Sequence, residues 1–260
     1  MRLKTLRTFL WYLRKPRLYG QLWQELLTKG HGIFFSSARA RKIGEQWCSQ
    51  KAVSAEELFK KLGISIDSPG VKAEFPEVFS KAEKSAAHCP IKMGGAADLD
   101  ILYRLAEAGE VKRALETGVA YGWSSLVLLL SIQKRGGRLV STDMPYPGME
   151  NDPYVGCAVP EELKEFWTLL HGPDRKGIPI AIASLGGEID LCHYDSDKSI
   201  RGRKWAYPRL WRALRNGGYF ISDDIGDNTA FRDFAEAAGS EPIIVRSGNK
   251  YVGILVKQNG

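Results

Sequence analysis

The chain has 260 residues, of which 44% are hydrophobic and 26% charged, a composition that excludes a disordered or collagen-like protein. Its formal net charge is +7, but the excess is not evenly spread. Residues 1–42 hold ten Lys/Arg and one acid, Glu25, so this segment alone carries +9 and the rest of the chain −2. The sequence therefore describes a near-neutral protein with a basic N-terminal segment.

No stretch reaches the roughly 20 apolar residues that a membrane-spanning helix needs. Charged residues also interrupt the first sixteen residues too often for the apolar region of a signal peptide. We therefore expect a cytoplasmic protein with four free thiols. The cysteines form no CxxC pair, so neither a zinc knuckle nor a redox motif is indicated.

Residues 1–90 are predicted to form a helical N-terminal extension. Apolar residues over 3–13 recur at three- to four-residue spacing, as on one face of a helix. The segment 54–57 has a capping-box pattern, and Gly63 supplies the stop of the helix that it starts. Pro76 is placed to open a further helix.

From about residue 95, short apolar strands alternate with helical stretches, which is typical of a parallel sheet built from βα units. A second domain is therefore predicted over 91–260. A short Gly/Asn-containing connection between the last two strands favours an antiparallel hairpin. The expected fold is α/β, a doubly wound, Rossmann-like seven-stranded sheet with an antiparallel last strand. The predicted strands are Arg113–Thr117, Arg138–Thr142, Phe166–Leu170, Ile189–Tyr194, Tyr219–Ser222, Pro242–Arg246 and Tyr251–Val256.

A glycine turn follows the first of these strands, in the sequence ALETGVAYGWSS. Glu116 precedes Gly118, Gly122 follows four residues later, and a helix is predicted from Ser124. Glycines let a ligand approach the backbone, and the amides at a helix start favour a polar or negative group. However, Ala120 stands where a dinucleotide fingerprint has a glycine, and Glu116 would repel a pyrophosphate. The turn therefore favours a cationic or amine-bearing ligand.

The second strand is followed by Asp143, where a carboxylate can accept both hydroxyls of a ribose. Together with the glycine turn, this acid favours S-adenosylmethionine, whose sulfonium and amino groups are positive. The alternative is a generic βα turn with a surface Asp, since short motifs often arise by chance.

The strand order, the ETGxxxG turn, the acid after the second strand and the closing hairpin resemble class I S-adenosylmethionine-dependent methyltransferases over roughly residues 90–257. The resemblance implies that five residues contact the cofactor: Glu116, Gly118, Gly122, Ser124 and Asp143. It also implies that Gly172 and Asp174, after the third strand, lie beside the adenine.

Three further acids follow the fourth and fifth strands, namely Asp195, Asp223 and Asp224. Since the carboxyl ends of the strands form the ligand crevice of such a sheet, these carboxylates should converge. Their mutual repulsion calls for a cation, and oxygen ligands favour Mg²⁺ or a similar divalent ion, which would bind a substrate hydroxyl. Lys198 would have its pKa lowered beside a metal and a sulfonium, which makes it a candidate general base. The alternative is a solvated loop pair with Asp197.

This spacing resembles catechol O-methyltransferase, in which Asp, Asp and Asn bind magnesium and the Lys is the base. Asp224 replaces the Asn, as in macrolide-sugar O-methyltransferases and cephalosporin hydroxylase-like proteins, which usually carry a His in place of Lys198. The resemblance implies a metal site of Asp195, Asp223 and Asp224, with Asp195 and Lys198 as catalytic residues.

Two loops are predicted to lie at the mouth of the site. The segment 88–95, HCPIKMGG, precedes the sheet domain, where it could fold over the cofactor with Met93 as a contact. The alternative is a simple linker. The second loop is 148–157, GMENDPYVGC, and either could determine substrate specificity. His193, inside the fourth strand, is predicted to be a buried core residue.

The preferred hypothesis is an Mg²⁺-dependent O-methyltransferase that acts on a hydroxyl of a small molecule or glycan. The basic segment 1–42 prompts an RNA-binding or RNA-methylating alternative, but no aromatic–basic RNA module accompanies it, so nucleic acid is disfavoured. A third hypothesis is a metal-independent methyltransferase with peripheral membrane contact through residues 1–29, where Trp11, Tyr12 and Trp23 accompany Arg and Lys. A helix on the sheet domain or in a homo-oligomer explains these residues equally well, and the sequence leaves the acceptor open.

Overall fold

The computed structural model describes residues 8, 10–23, 37–96 and 98–258. Its strands are β1 (Ala52–Val53), β2 (Arg113–Thr117), β3 (Arg138–Asp143), β4 (Trp167–His171), β5 (Ile189–Tyr194), β6 (Leu214–Ser222), β7 (Ile243–Ser247) and β8 (Lys250–Val256). Its α-helices from residue 37 onward are α1 (Ser37–Lys51), α2 (Ala55–Leu62), α3 (Val71–Glu74), α4 (Pro76–Ala87), α5 (Leu99–Ala108), α6 (Trp123–Ile132), α7 (Asp174–Ser184), α8 (Ile200–Ala213) and α9 (Ala230–Ala237).

These strands form one sheet in the order β1-β7-β8-β6-β5-β2-β3-β4. The run from β6 through β5, β2 and β3 to β4 is parallel, whereas β8 is antiparallel to both β6 and β7. The prediction of a doubly wound sheet with an antiparallel last strand is therefore confirmed. Strands β3 and β4 are added on one side of β2, whereas β5 and β6 are added on the other side. In such a sheet a ligand crevice lies at the carboxyl ends of the two strands where the order changes, here β2 and β5.

The number of strands differs from the prediction, because the sheet has an eighth strand at its edge. Strand β1 pairs in parallel with β7 through Ala52 opposite Ile244 and Val53 opposite Val245. Two residues are too short to show the alternation by which a strand is recognised, so the sequence pattern did not reveal it.

The sheet is covered on both faces by apolar clusters. Consecutive strand residues alternate between them: Leu191 and Ile221 belong to one cluster, and Cys192 and Phe220 to the other. This follows from the two-residue period of a strand. Residues of α2 to α6 pack on the first face, and residues of α1, α7, α8 and α9 pack on the second.

The predicted helix signals in the extension are confirmed. The Ser54 hydroxyl accepts the N–H of Glu57 at 3.1 Å, and the Glu57 carboxylate accepts the N–H of Ser54 at 3.0 Å. Gly63 then ends α2 in a left-handed conformation with φ +66°. Pro76 is the first residue of α4, where its missing N–H costs no helical hydrogen bond.

The basic N-terminal segment is described only in part. Of the helix predicted over 3–13, residues 3–7 and 9 lie outside the described residues, while 10–13 are helical. Within the described part of the chain, no helix is long and apolar enough to cross a membrane.

Candidate active site

The chain turns sharply between β2 and α6. Gly118 (φ +80°), Ala120 (φ +50°) and Gly122 (φ +90°) have left-handed backbone conformations, which glycine adopts without strain. At Gly118, a Cβ atom would also collide with the main-chain carbonyl oxygen of Asp195. The glycine at this position therefore allows the turn to lie directly against the loop after β5.

A cavity of about 620 Å³ opens beside this turn, and we refer to it as the turn cavity. Its size is within the usual range of small-molecule sites. Six of the residues predicted to form the site line it, namely Gly118, Ser124, Asp143, Asp174, Asp195 and Lys198. The other predicted site residues do not line it, and these are Met93, Glu116, Gly122, Gly172, Asp223 and Asp224.

Glu116 lies below the turn and is fully buried. Its carboxylate accepts hydrogen bonds from the hydroxyls of Ser125 at 2.5 Å and Ser141 at 2.7 Å. Its second oxygen lies 3.3 Å from Nδ1 of His193. Glu116 thus connects β2 with β3, β5 and the start of α6, and it supports the glycine turn from beneath.

Asp143 ends β3 at the wall of the turn cavity. One carboxylate oxygen accepts the N–H of Val119 at 2.8 Å and, more weakly, that of Ala120 at 3.5 Å. Burial raises the pKa of Asp143 above its ordinary value, although these two hydrogen bonds oppose the shift. Since the first oxygen holds the glycine turn, the second is available to a ligand in the cavity.

Asp174 begins α7 on the other side of Asp143. Its carboxylate accepts the hydroxyl of Ser196 at 2.5 Å and that of Thr142 at 3.4 Å. Burial raises the pKa of Asp174 to about 6. Gly172 donates its N–H to the carbonyl oxygen of Asp143 at 2.8 Å, so it fixes the approach to α7 without itself lining the cavity.

The end of the segment 88–95 lies at the turn cavity. Gly94 and Gly95 line the cavity, while the Met93 side chain is buried. The Met93 N–H donates to the hydroxyl of Tyr121 at 3.2 Å, and the amide of Asn151 donates to the Met93 sulfur at 3.4 Å. The two predicted mouth loops are therefore joined to each other through Asn151 and Met93.

Lys198 lies between two carboxylates beyond the turn. Its ammonium forms an ion pair with Asp195 at 3.2 Å and donates a close hydrogen bond to Asp224, whose other oxygen is 3.0 Å from the ammonium of Lys250. Burial alone would lower the pKa of Lys198, but the charges of Asp195 and Asp224 raise it above its ordinary value. The predicted lowering needed a neighbouring positive charge, whereas the nearest groups here are negative.

The pKa values of Asp195 and Asp224, the two carboxylates beside Lys198, are shifted in opposite directions. Burial, together with the charge of Asp223, raises the pKa of Asp195 to about 6. Burial would raise the pKa of Asp224 as well, but Lys198 and Lys250 hold it below its ordinary value. The negative charge of Asp195 is therefore only partly balanced by Lys198, whereas that of Asp224 is balanced by both Lys198 and Lys250.

His193 connects the cluster to the support below the turn. It is fully buried, as predicted, and its Nε2 lies 3.5 Å from Asp223 while its Nδ1 faces Glu116. Burial alone would lower the pKa of His193, but Asp223 and Glu116 raise it to about 10. His193 therefore lies between the carboxylates of Glu116 and Asp223.

The three predicted metal ligands lie at one edge of the sheet, as their places after β5 and β6 require. Among the described residues, no three His, Cys, Asp or Glu side chains are grouped so that they could hold a metal ion. In the structure Asp224 is bound by two ammonium groups, and Asp223 faces His193.

The described part of the basic segment reaches the turn cavity. Gln21 lines it, and Lys15 forms an ion pair with Asp152 at 3.1 Å in the second mouth loop. Trp11 and Tyr12 are buried, whereas Trp23 is 63% exposed. Two of the three aromatic residues considered for membrane contact therefore face protein instead.

Sequence reasoning missed Lys250, Ser196 and Asn151. Lys250 belongs to the short connection predicted between the last two strands, and the antiparallel direction of β8 puts this residue at the same edge as the carboxyl ends of the parallel strands. That direction was predicted, so the sequence contained the signal. Nothing comparable marks Ser196 or Asn151, since their roles depend on partners 22 and 58 residues away.

Comparisons with known proteins agree with this arrangement. A family described as a methyltransferase domain matches residues 115–225, which include the glycine turn and the acid pair after β6. No curated protein sequence matches the chain significantly.

Among solved structures, a cofactor-bound protein from MTB is 18% identical with a TM-score of 0.55, and the alignment covers 75% of this chain and 100% of that one. An O-methyltransferase from Bacillus cereus in complex with SAH is 14% identical with a TM-score of 0.51, covering 81% and 100%. The O-methyltransferase TomG from Streptomyces achromogenes, involved in tomaymycin synthesis and in complex with SAM, is 18% identical with a TM-score of 0.50, covering 77% and 94%. At these identities the likeness concerns the fold, and the family match adds that residues 115–225 are similar to a methyltransferase domain.

Proposed function

We propose that the chain is an O-methyltransferase, which transfers the methyl group of S-adenosylmethionine to a hydroxyl of a small molecule or glycan. The observation that carries this proposal is the position of Lys198, held by Asp195 and Asp224 at the wall of the turn cavity. A lysine in that place is within reach of a hydroxyl that approaches a methyl donor bound in the cavity.

The turn cavity suits this cofactor in charge as well as in size. S-adenosylmethionine carries a positive sulfonium and a positive amino group, and Asp143, Asp174 and Asp195 line the cavity with carboxylates. The free oxygen of Asp143 would accept the ribose hydroxyls, and Asp174 would lie beside the adenine. Gly118 and Ser124 would contact the methionine portion at the start of α6.

Four residues would act on the cofactor without lining the cavity. Glu116 and Gly122 shape the glycine turn, and Gly172 sets the path into α7. Met93 anchors the segment 88–95 through its bonds with Tyr121 and Asn151, so that Gly94 and Gly95 line the cavity.

In the proposed reaction Lys198 takes the proton of the acceptor hydroxyl. The acceptor oxygen attacks the methyl carbon, the carbon–sulfur bond breaks, and S-adenosylhomocysteine remains. Lys198 must first lose its own proton, which its two carboxylate neighbours oppose. The positive sulfonium of the bound cofactor lowers the pKa of a nearby ammonium, so cofactor binding itself would favour the basic form.

We further propose that the carboxylate cluster takes up Mg²⁺ or a similar divalent ion. Asp195, Asp223 and Asp224 offer the oxygen donors that this ion prefers, and the Asp195 oxygen that forms the ion pair with Lys198 at 3.2 Å is buried. When bound, the ion would lower the pKa of an acceptor hydroxyl. The described side chains do not form a preassembled site, so Lys198 would have to withdraw from Asp224.

Release of S-adenosylhomocysteine tests both parts of the proposal. The full chain is incubated with S-adenosylmethionine and a mixture of hydroxyl acceptors, with and without prior dialysis against EDTA. We expect acceptor-dependent release that falls after dialysis and returns with Mg²⁺. Absence of S-adenosylhomocysteine binding in calorimetry would contradict the function as a whole. Release that is unchanged after dialysis would contradict the metal part alone.

Contact of residues 1–29 with a membrane surface is a separate proposal, for which the exposed Trp23 is the remaining aromatic support. Flotation of the full chain with vesicles of anionic and of neutral lipid tests it. Binding to neither kind of vesicle would end the proposal, without bearing on the methyl transfer.

A further inference from the structure

A second cavity, of about 500 Å³, lies on the far side of Lys198. Lys198 and Lys250 line both this cavity and the turn cavity, and Asp224 lines the second one. The two cavities thus meet at the lysine that we propose as the base. If the turn cavity holds the methyl donor, the second cavity gives an acceptor access to Lys198 from its other side.

Helix α1 of the N-terminal extension builds one wall of the second cavity. At Gly44 a Cβ atom would lie 2.7 Å from the carbonyl oxygens of both Gly226 and Asn228, so only glycine lets α1 approach the loop after β6 this closely. The approach puts Gln46 and Ser49 of α1 into the lining of the cavity.

The lining is polar throughout the described residues. None of them has a Val, Leu, Ile, Met, Phe or Trp side chain, and Tyr251 alone adds aromatic surface. The ring of Tyr251 rests on Gly226, where an added Cβ would lie 3.1 Å from it. Pockets for flat apolar ligands are lined mainly by hydrophobic and aromatic side chains, so this lining does not favour a simple phenol or catechol.

The charges in the lining are balanced. Its described cations and anions are Arg41, Lys198, Lys250, Glu45, Asp224 and Asp227. Most are already paired, since Arg41 donates to Glu45 at 2.9 Å and both lysines bind Asp224. A charged acceptor would therefore meet no excess of opposite charge. The side-chain amides of Gln46 and Asn249 remain for a ligand, and the Ser49 hydroxyl, which donates to the main-chain carbonyl oxygen of Gln46 at 2.9 Å, can still accept a hydrogen bond.

We propose that this cavity binds a neutral, polyhydroxylated acceptor such as a sugar ring. Gln46, Ser49 and Asn249 form hydrogen bonds with its hydroxyls, Tyr251 offers a face to the ring, and one hydroxyl lies against Lys198. Its proton passes to Lys198, the oxygen–methyl bond forms as the sulfur–methyl bond breaks, and S-adenosylhomocysteine is left. This inference rests on the proposed function.

The test uses the full chain saturated with S-adenosylhomocysteine for binding and S-adenosylmethionine for turnover. The probes are methyl α-glucopyranoside, methyl α-mannopyranoside and methyl α-rhamnopyranoside, with catechol and glucose 6-phosphate for comparison. Gln46→Leu removes hydrogen-bonding groups from the lining. Gln50→Leu makes the same change one turn later on α1, at an exposed residue outside the lining.

We expect saturation-transfer NMR to detect at least one glycoside, and this glycoside to support release of S-adenosylhomocysteine. Gln46→Leu should raise its KM about tenfold, as expected for one or two lost hydrogen bonds, whereas Gln50→Leu should not change it. Neither variant should alter the binding of S-adenosylhomocysteine.

Three results would overturn the inference: turnover of catechol without any glycoside, a clear preference for the phosphorylated sugar, or no binding of any glycoside. In each case binding of S-adenosylhomocysteine, measured on the same sample, separates this failure from a failure of the proposed function. Equal effects of Gln46→Leu and Gln50→Leu would also overturn the assignment of α1 to the acceptor site.

Discussion

Replacing Asp143 with Asn changes the proposed ribose contact at a single atom. In the structure one carboxylate oxygen accepts the N–H groups of Val119 and Ala120. The amide carbonyl of Asn can keep this role, so the glycine turn should stay in place. The second oxygen becomes an NH₂ group, which cannot accept hydrogen bonds from the ribose hydroxyls.

A hydrogen bond to a charged acceptor contributes about 1.5–3 kcal/mol. Replacing this acceptor by an NH₂ group should therefore raise the Kd of S-adenosylhomocysteine about 10- to 100-fold. Because burial already opposes the charge of Asp143 and raises its pKa, the neutral Asn should not destabilise the fold. Loss of affinity without loss of stability distinguishes a ligand contact from a structural role.

Isothermal titration calorimetry with S-adenosylhomocysteine measures the change, and a thermal melt checks the fold. Asp67→Asn is the matched control, since Asp67 is exposed and bonds only locally with Ser65. If Asp143→Asn binds within threefold of the control, the free carboxylate oxygen does not hold the ribose and the reasoning is wrong.

Three further predictions concern the base, a buried acid and the glycine turn. Lys198→Met should lower kcat about 10²- to 10⁴-fold and leave the Kd of S-adenosylhomocysteine within threefold of the wild-type value. Lys81→Met, at an exposed lysine, is the control. An equal loss of cofactor binding in Lys198→Met would contradict the role of Lys198 as base. The pKa of Asp174 is raised to about 6 from 3.8, so its contribution to stability is present below about pH 4 and is lost as the pH rises through 6. Asp174→Asn should thus be more stable than the wild type by about 3 kcal/mol at pH 7.5, and by less at pH 4.5; a gap in urea unfolding that does not change with pH would refute this. Gly118→Ala should lower the free energy of unfolding by about 1–3 kcal/mol more than Gly186→Ala does. Both glycines have φ +80°, but only at Gly118 would the added Cβ collide with another atom, the carbonyl oxygen of Asp195. Equal melting temperatures of the two variants would count against this close contact.

Local patterns in the sequence were sufficient for most of the fold. Strands β2 and β5 have the predicted limits, the capping box of α2 forms both of its hydrogen bonds, and β7 and β8 form the expected antiparallel pair. These features depend on residues that are close in the chain, so their signals survive in a single sequence. Strand β6 begins five residues before its prediction, at Leu214 rather than Tyr219, because its first residues carry charge and glycine.

The convergence of the acids followed from topology alone, since successive parallel strands bring their carboxyl ends to one edge. What each acid faces was decided by tertiary structure. The carboxylate of Glu116 accepts hydrogen bonds from Ser125 and Ser141 beneath the glycine turn. The carboxylate of Asp224 binds both Lys198 and Lys250, the latter from the hairpin. The periodicity of a strand gives the side on which a residue lies, but not which distant side chain meets it there.

The sequence by itself therefore determined a doubly wound sheet, a glycine turn and a group of carboxylates at its edge, because βα alternation and strand order govern these. Only the tertiary structure decided that two lysines lie among the carboxylates and that α1 closes a second cavity beside them. Both arrangements depend on contacts between residues far apart in the chain, such as the approach of Gly44 to Gly226, and such contacts leave no periodic trace in the sequence.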